Sequence, residues 1–328
     1  MTRSNYLNLV RLTAALVFVL IILGAWVRLS DAGLGCPDWP GCYGHLTWPS
    51  ADTDINNANQ AYPHMPVDSS KAMKEMVHRY VAGPVGLLIV ALAILAWRRR
   101  RDDATQPVWI PTLLVPLVGA QALLGMWTVT LLVKPAIVTL HLAGGLTTFA
   151  LLIWLLRDVA RRPPQALTRL SRYWLWLAAV VLVAQILLGG WTSTNYAALA
   201  CPDFPTCMNQ WWPATDFKEA FVLWREVGVN YEGGILDQPA RTAIHLSHRL
   251  GAIVALLVIG GLALRLWRYE QSPMYSLVLL GLLLTQIVLG VLNVVLQLPL
   301  INAVAHNGGA ALLLGWMIVL FHHFRRTP

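Results

Sequence analysis

Four histidines stand at matched places in this sequence. His78 and His248 each precede an arginine, in Met76-Val77-His78-Arg79 and Leu246-Ser247-His248-Arg249, while His141 and His306 open the segments His141 to Gly144 (HLAG) and His306 to Gly309 (HNGG). All four fall a few residues inside apolar stretches, where an ionisable side chain is costly and is retained for function. Two imidazoles facing each other from different helices, with an apolar cavity between them, are what a bis-histidine haem requires. The pattern therefore predicts two such sites, one between His78 and His141 and one between His248 and His306. Gly144, Gly145, Gly308 and Gly309, next to two of these ligands, are expected to let a flat ring come close to the backbone. Two plainer readings stand beside this one. The histidines would serve as hydrogen-bonding links between helices, which repetition at four related positions disfavours. Alternatively they would hold a metal ion, but no acidic cluster or zinc-type Cys/His spacing accompanies them.

The two halves differ beside the iron. Glu75 stands three residues before His78, and His245 stands at the corresponding place before His248. His245 and His248 share one helix face and cannot take opposite sides of one iron, so His245 is read as a group behind the ligand. A carboxylate beside a haem edge is suited to stabilising positive charge or accepting a proton, which makes Glu75 a candidate catalytic residue. The plain alternative is a charge favoured by the positive end of its helix. Arg79 and Arg249 are candidates for contact with haem propionates, or for reaching the lipid headgroups.

Helices must position these residues, and the composition says in what solvent. Of the 328 residues, 57% are hydrophobic and 12% charged, against roughly 25% charged in soluble globular chains. Stretches long enough to cross a hydrocarbon core, which takes about 20 helical residues, fall near 9–28, 77–97, 108–132, 136–156, 173–194, 242–264, 274–297 and 300–321. The last two are split at Pro299, where a backbone donor is missing. The first has no convincing small-x-small cleavage site and is read as a retained helix. An N-terminus inside the cell puts 15 of the 24 Lys and Arg, but four of the 16 Asp and Glu, on the inner side. Both termini are therefore expected in the cytoplasm, and the net charge of +8 calls for membrane lipid and for no nucleic acid.

The chain repeats itself. Leu23-Gly24-Ala25-Trp26 followed by Leu34, Cys36-Pro37-Asp38-Trp39-Pro40 and Cys42 returns 165 residues later as Leu188-Gly189-Gly190-Trp191, Leu199, Cys201-Pro202-Asp203-Phe204-Pro205 and Cys207. Gln121 to Gly125 (QALLG) matches Gln286 to Gly290 (QIVLG) at the same offset. The expected fold is an all-α integral membrane protein whose eight transmembrane helices form two repeated four-helix bundles, residues 1–165 and 166–328. With an even number of helices per half, the bundles are related by a pseudo-twofold axis along the membrane normal.

Two outer connections are long, about 29–74 and 195–240, and each holds two of the four cysteines. Disulfides are permitted on that side, so Cys36–Cys42 and Cys201–Cys207 are candidate bridges, either staples or redox-active pairs. Thr215 to Val227, with Phe217, Phe221 and Trp224 at helical spacing, is expected to form a short helix, lying at the membrane surface or covering the bundle.

Together, the eight spans, the duplicated halves, Glu75-x-x-His78-Arg79, His248-Arg249, His141, His306 and the cysteine pair in each outer loop resemble the haem A synthase family of the CtaA/Cox15 type. Asn230-Tyr231-Glu232-Gly233-Gly234 is similar to its proteobacterial members. The resemblance implies an oxidoreductase of the bacterial inner membrane that converts the C8 methyl group of haem O to the formyl group of haem A. It implies a b-type haem (heme b) cofactor held by His248 and His306, substrate haem held by His78 and His141, and Glu75 as the essential carboxylate. The implied partners are haem O, the haem O synthase (protohaem farnesyltransferase) that supplies it, and an unidentified electron acceptor. The rival readings are a bis-haem electron-transfer cytochrome, which has no need of Glu75 in place of His245, and a membrane thiol-disulfide oxidoreductase. Against the latter, neither cysteine pair is of the C-x-x-C kind.

Overall fold

The computed structural model describes residues 2–161 and 163–325. Arg162 and Arg326, counted above on the inner side, lie outside the described residues. The elements are α1 (Arg3–Leu29), α2 (Asp52–Ala61), α3 (Ser69–Arg100), α4 (Trp109–Thr130), α5 (Pro135–Ala160), α6 (Arg169–Thr194), α7 (Phe217–Ala220), α8 (Gln238–Arg268), α9 (Pro273–Val295) and α10 (Leu300–His323). All but α2 and α7 are long and apolar enough to cross a membrane, so eight spans are present among the described residues. Leu87, Val180, Leu257 and Ile301 point away from the protein, and so broad an apolar exterior requires hydrocarbon around it. The protein is an all-α, multi-pass membrane protein.

The span boundaries follow local chemistry. Side chains of Thr2, Asp68, Thr168 and Asp237 cap α1, α3, α6 and α8 by accepting from the backbone N–H of Asn5, Lys71, Ser171 and Ala240, satisfying donors that a helix start leaves open. Pro299 stands just before α10, as its missing donor requires. Arg98, Arg99 and Arg100 end α3, where the helix dipole favours positive charge. Pro84 and Pro116 lie inside α3 and α4, both on exposed faces.

Two separate apolar cores form. One joins residues of α1, α3, α4 and α5, including Tyr6, Ile89, Leu114 and Leu152, and the other joins α6, α8, α9 and α10, including Leu175, Ile259, Leu279 and Met317. Within each half the helices touch in the same cyclic order: α1–α3–α4–α5–α1 and α6–α8–α9–α10–α6. Across the halves α5 packs on α10, α1 on α10 and α5 on α6. Two contacts join residues 165 apart in sequence: Arg28 Nη2 donates to the Ser193 carbonyl at 2.6 Å, and the Tyr196 hydroxyl meets Asp31 Oδ1 at 3.0 Å.

The segment Thr215 to Val227 departs from expectation. Only Phe217–Ala220 is helical. Arg225 folds back on Glu219, through its carboxylate at 2.6 Å and its carbonyl at 2.7 Å. Trp224 turns to cover the ammonium of Lys134, 3.7 Å from the ring centroid. Specific tertiary contacts outweigh the propensity of a segment too short to hold a helix alone.

Candidate functional site

Each of the four histidines is seated on a glycine of the preceding span. A Cβ added to Gly24 on α1 would lie 3.2 Å from Cε1 of His78 on α3, and one on Gly125 of α4 would lie 3.4 Å from Cε1 of His141 on α5. In the other half, Gly189 on α6 and Gly290 on α9 stand in the same relation to His248 on α8 and His306 on α10, each at 3.1 Å. These are the glycines of the repeated Leu-Gly pairs, and the missing side chain lets the Cε1 corner of an imidazole approach the helix backbone. His78 lies within electrostatic range of His141, and His248 of His306.

The glycines that follow His141 and His306 do something else. A Cβ on Gly144 would fall 1.8 Å from Nε2 of Gln121, one on Gly309 2.4 Å from Oε1 of Gln286, and one on Gly308 2.5 Å from Cδ1 of Ile22. Gly144, Gly308 and Gly309 make room for neighbouring side chains, while at Gly145 an added Cβ would meet nothing closer than 3.9 Å. Gln185, which sequence reasoning missed, and Gln286, seen there only as part of a repeat, lie beside two of the histidines. The Gln185 amide lies 3.1 Å from Nδ1 of His248 and donates to the His248 carbonyl at 2.9 Å. Gln286 donates to the His306 carbonyl at 2.9 Å.

Glu75 is 5% exposed and sits seven residues into α3, whose start is capped by Asp68. It is therefore not a first-turn charge answering the helix dipole. Its Oε2 accepts from the Cys36 N–H at 2.9 Å, and its Oε1 pairs with the Arg79 guanidinium. Arg79 also donates to the carbonyls of Asp38 at 3.0 Å, Pro40 at 3.3 Å and Gly41 at 2.5 Å. Glu75 and Arg79 thus clasp the Cys36–Cys42 loop onto the end of α3 that carries His78. In the second half Arg249 takes the carbonyls of Cys201 at 3.0 Å, Asp203 at 2.7 Å and Thr206 at 2.7 Å, and His245, 4% exposed, holds the Ala197 carbonyl at 2.9 Å through Nδ1. The clasp is common to both halves, but only the first contains a carboxylate. Arg79 and Arg249 thus already spend their terminal nitrogens on loop carbonyls, while Nε of Arg249 has no partner.

Both expected disulfides are present, Cys36–Cys42 and Cys201–Cys207. All four cysteines are at most 1% exposed. Each loop is closed further by an aspartate: Asp38 accepts from the N–H groups of Tyr43 at 2.6 Å and Gly44 at 2.9 Å, and Asp203 from those of Met208 at 2.5 Å and Asn209 at 3.0 Å.

The donor set is one that fits a haem. Among the described residues no group of three or more His, Cys, Asp or Glu is gathered for a metal ion. Two imidazoles suffice when a porphyrin supplies the remaining ligands. Nδ1 of His78, His141 and His306 is buried without a hydrogen-bond partner, a cost that a protein interior bears where a ligand completes the site.

Residues 8–318 match the family described as COX15-CtaA, cytochrome oxidase assembly protein. The protein named heme A synthase in Shewanella oneidensis is 43% identical to this chain over 315 residues, covering 95% of this chain and 94% of the relative. Proteins of the same name from Caulobacter sp. strain K31 and Halalkalibacterium halodurans are 28% and 29% identical, covering 95% and 90% of this chain and 94% and 89% of their own lengths.

Proposed function

The chain belongs to the COX15-CtaA family of cytochrome oxidase assembly proteins, and on that footing we propose that it is a haem A synthase, oxidising the C8 methyl group of haem O to a formyl group. The observation that carries the reading is the asymmetry between two otherwise matched histidine pairs: a buried carboxylate, Glu75, beside one and an imidazole, His245, beside the other. An electron carrier would need no such difference.

Residues 1–165 form the substrate half and residues 166–328 the electron-transfer half. The cyclic helix order shared by the halves supports this division, and so do the contacts between residues 165 apart. A residue touches its own counterpart only near a twofold axis, so Arg28, Ser193, Asp31 and Tyr196 support a pseudo-twofold axis along the membrane normal. The charge distribution supports an inner-membrane orientation with cytoplasmic termini and outward disulfide loops.

His248 and His306 hold a b-type haem, which supplies one-electron transfer when bound. Gln185 and Gln286 fix the placing of these two ligands. His78 and His141 hold haem O, delivered through the lipid phase from the protohaem farnesyltransferase that makes it. Glu75 would present negative charge to the ring edge, where it would stabilise positive charge developing as the methyl group, taking one oxygen from water, loses two electrons and two protons to give the alcohol and then two more of each to give the aldehyde. Arg79 and the Cys36 N–H keep that carboxylate in place. The electrons leave to an acceptor outside the chain. The buried disulfides act as staples of the clasped loops.

The test supplies haem O to purified protein with an electron acceptor and identifies the product haem by mass. Appearance of haem A supports the reading. Haem O returned unchanged from protein loaded with b-type haem overturns it.

A further inference from the structure

At the end of the bundle away from the disulfide loops, the two halves carry different charge. With an offset of 170 residues the last turns of α3 and α8 match, Ile94 with Leu264, Trp97 with Trp267 and Arg98 with Arg268. Trp97 and Trp267 are each 48% exposed, as suits aromatic and basic side chains that hold a span at the membrane boundary. Past that point the halves part: Arg100 and Arg101 of the first stand where the second has Glu270 and Gln271. Glu270 is taken up at the start of α6, where it accepts from the Thr168 N–H at 3.3 Å, and Arg265 donates to Ser171 Oγ at 3.2 Å. In the first half the added arginines line a cleft instead. Ile94, Trp97, Arg98, Arg100 and Arg101 surround about 530 Å³. Its apolar wall is fixed, since Trp97 Nε1 donates to Thr112 Oγ1 at 2.9 Å and the Trp97 ring meets Trp109 edge-on. Arg100 is anchored by the Gln106 carbonyl at 2.9 Å, whereas no hydrogen bond or ion pair among the described residues engages the guanidinium of Arg98 or Arg101. Of the carboxylates that follow, Asp103 is paired with Arg161 at 2.7 Å, and neither it nor Asp102 lines the cleft.

We propose that this cleft holds one anionic phospholipid, with its phosphate at the guanidinium groups of Arg98 and Arg101 and the start of an acyl chain against Ile94 and Trp97. A free guanidinium takes a phosphate through two parallel N–H groups, and a basic pocket at the headgroup level of a span is suited to holding an anionic lipid. A soluble anion would use the arginines alone. The apolar wall beside them selects a lipid. The positive bias of this membrane face accounts for Arg98 and Arg268 alike, but it does not account for Arg100 and Arg101, whose counterparts are acidic and neutral. The lipid site is independent of the haem assignments.

The test titrates delipidated, detergent-solubilised, full-length protein with phosphatidylglycerol, with phosphatidylcholine of the same acyl chains and with inorganic phosphate, and follows bound molecules by native mass spectrometry. The wild type should bind one phosphatidylglycerol in preference to the other two. Arg98→Gln with Arg101→Gln should weaken that binding by about 30-fold, roughly fivefold for each charge removed. Arg169→Gln with Arg268→Gln removes two charges from the same membrane face in the second half and should leave it unchanged. If the first double variant does not fold, Arg101→Gln alone decides the matter, since Arg101 is exposed and follows the last turn of α3; its expected loss is about fivefold. Equal affinity of the wild type for the two lipids overturns the proposal, as does an equal loss in the two double variants or unchanged binding in Arg101→Gln. Inorganic phosphate bound as tightly as phosphatidylglycerol would mark a free-anion site and overturn it too.

Discussion

Glu75→Gln separates chemistry from architecture, provided the loop is watched at the same time. The carboxylate has two duties in the structure: it accepts the Cys36 N–H at 2.9 Å and pairs with Arg79. Glutamine keeps one acceptor oxygen, so one charged hydrogen bond is lost, worth about 1.5–3 kcal/mol. Arg79 is not stranded, because three loop carbonyls still receive its protons, and this places the cost near 2 kcal/mol, well short of the roughly 3–5 kcal/mol of a buried pair broken outright. A loss of that size loosens the Cys36–Cys42 loop and leaves eight packed spans standing. The assay extracts haems from purified protein, with haem b occupancy as the internal measure of folding, and follows hydrogen exchange over residues 32–43. We expect haem O, with some of the alcohol form, to accumulate while haem b stays bound. Arg79→Gln is the companion variant, since it loosens the same loop yet leaves the carboxylate. It should retain haem A formation in part. Normal haem A output from Glu75→Gln protein would remove Glu75 from the chemistry, and equal loss in the two variants with equal loosening would show that it acts only through the loop.

Ligation is tested by His248→Ala and His306→Ala, each of which should abolish the low-spin b-type spectrum, whereas His78→Ala and His141→Ala should spare it and stop conversion; an intact spectrum in all four would refute the pairing. Gly189→Ala and Gly290→Ala place a methyl group about 3.1 Å from a ligand ring, so haem b affinity should fall by about 10- to 100-fold. Gly260→Ala, where nothing lies within 4 Å, should leave affinity unchanged and stabilise its helix by up to about 1 kcal/mol, so equal effects at the three sites would defeat the seating argument. Breaking Cys201–Cys207 by Cys201→Ser with Cys207→Ser should lower stability by roughly 2 kcal/mol, the entropy of so short a closed loop, as read from thermal loss of the haem b spectrum. The Thr206 hydroxyl, with the N–H groups of Asn209 and Met208, holds the Asp203 carboxyl below the usual range. Its contribution to loop order is therefore complete above about pH 4 and lost as pH falls through the lowered value, which hydrogen exchange at residues 203–209 would detect.

Most of the fold was legible because hydropathy and length suffice to mark spans, and Pro299 broke the one apolar run long enough to hold two. The four histidines stood out because ionisable residues are conspicuous in apolar helices and because duplication showed each twice; their pairing about haem belongs to the proposed function. Other parts depended on contacts distant in sequence. Gly24, Gly125, Gly189 and Gly290 read as ordinary small residues until the neighbouring helix put an imidazole against them. Gln121 and Gln286 were visible as repeated letters without a purpose, and Gln185 was not noticed, since amide-to-backbone bonds leave no periodic signal. The helix α2, with its run of Asn and Asp, has a composition that reads as loop. Phe217, Phe221 and Trp224 had helical spacing, yet Lys134 and Glu219 drew that segment into another shape. Arg79 and Arg249 invited a propionate, and only the folded loops revealed the carbonyls they already hold.

The central claim is that four histidines hold two haems, one resident and one being altered. Extraction of the pigments from freshly purified protein under non-reducing, acidified conditions, followed by mass identification, tests it most directly. The account predicts haem b together with haem O or haem A, all released without covalent attachment, since the sequence has no C-x-x-C-H motif. Correctly folded protein that yields no haem, or haem b as its only pigment when haem O is available in the membrane, would contradict it.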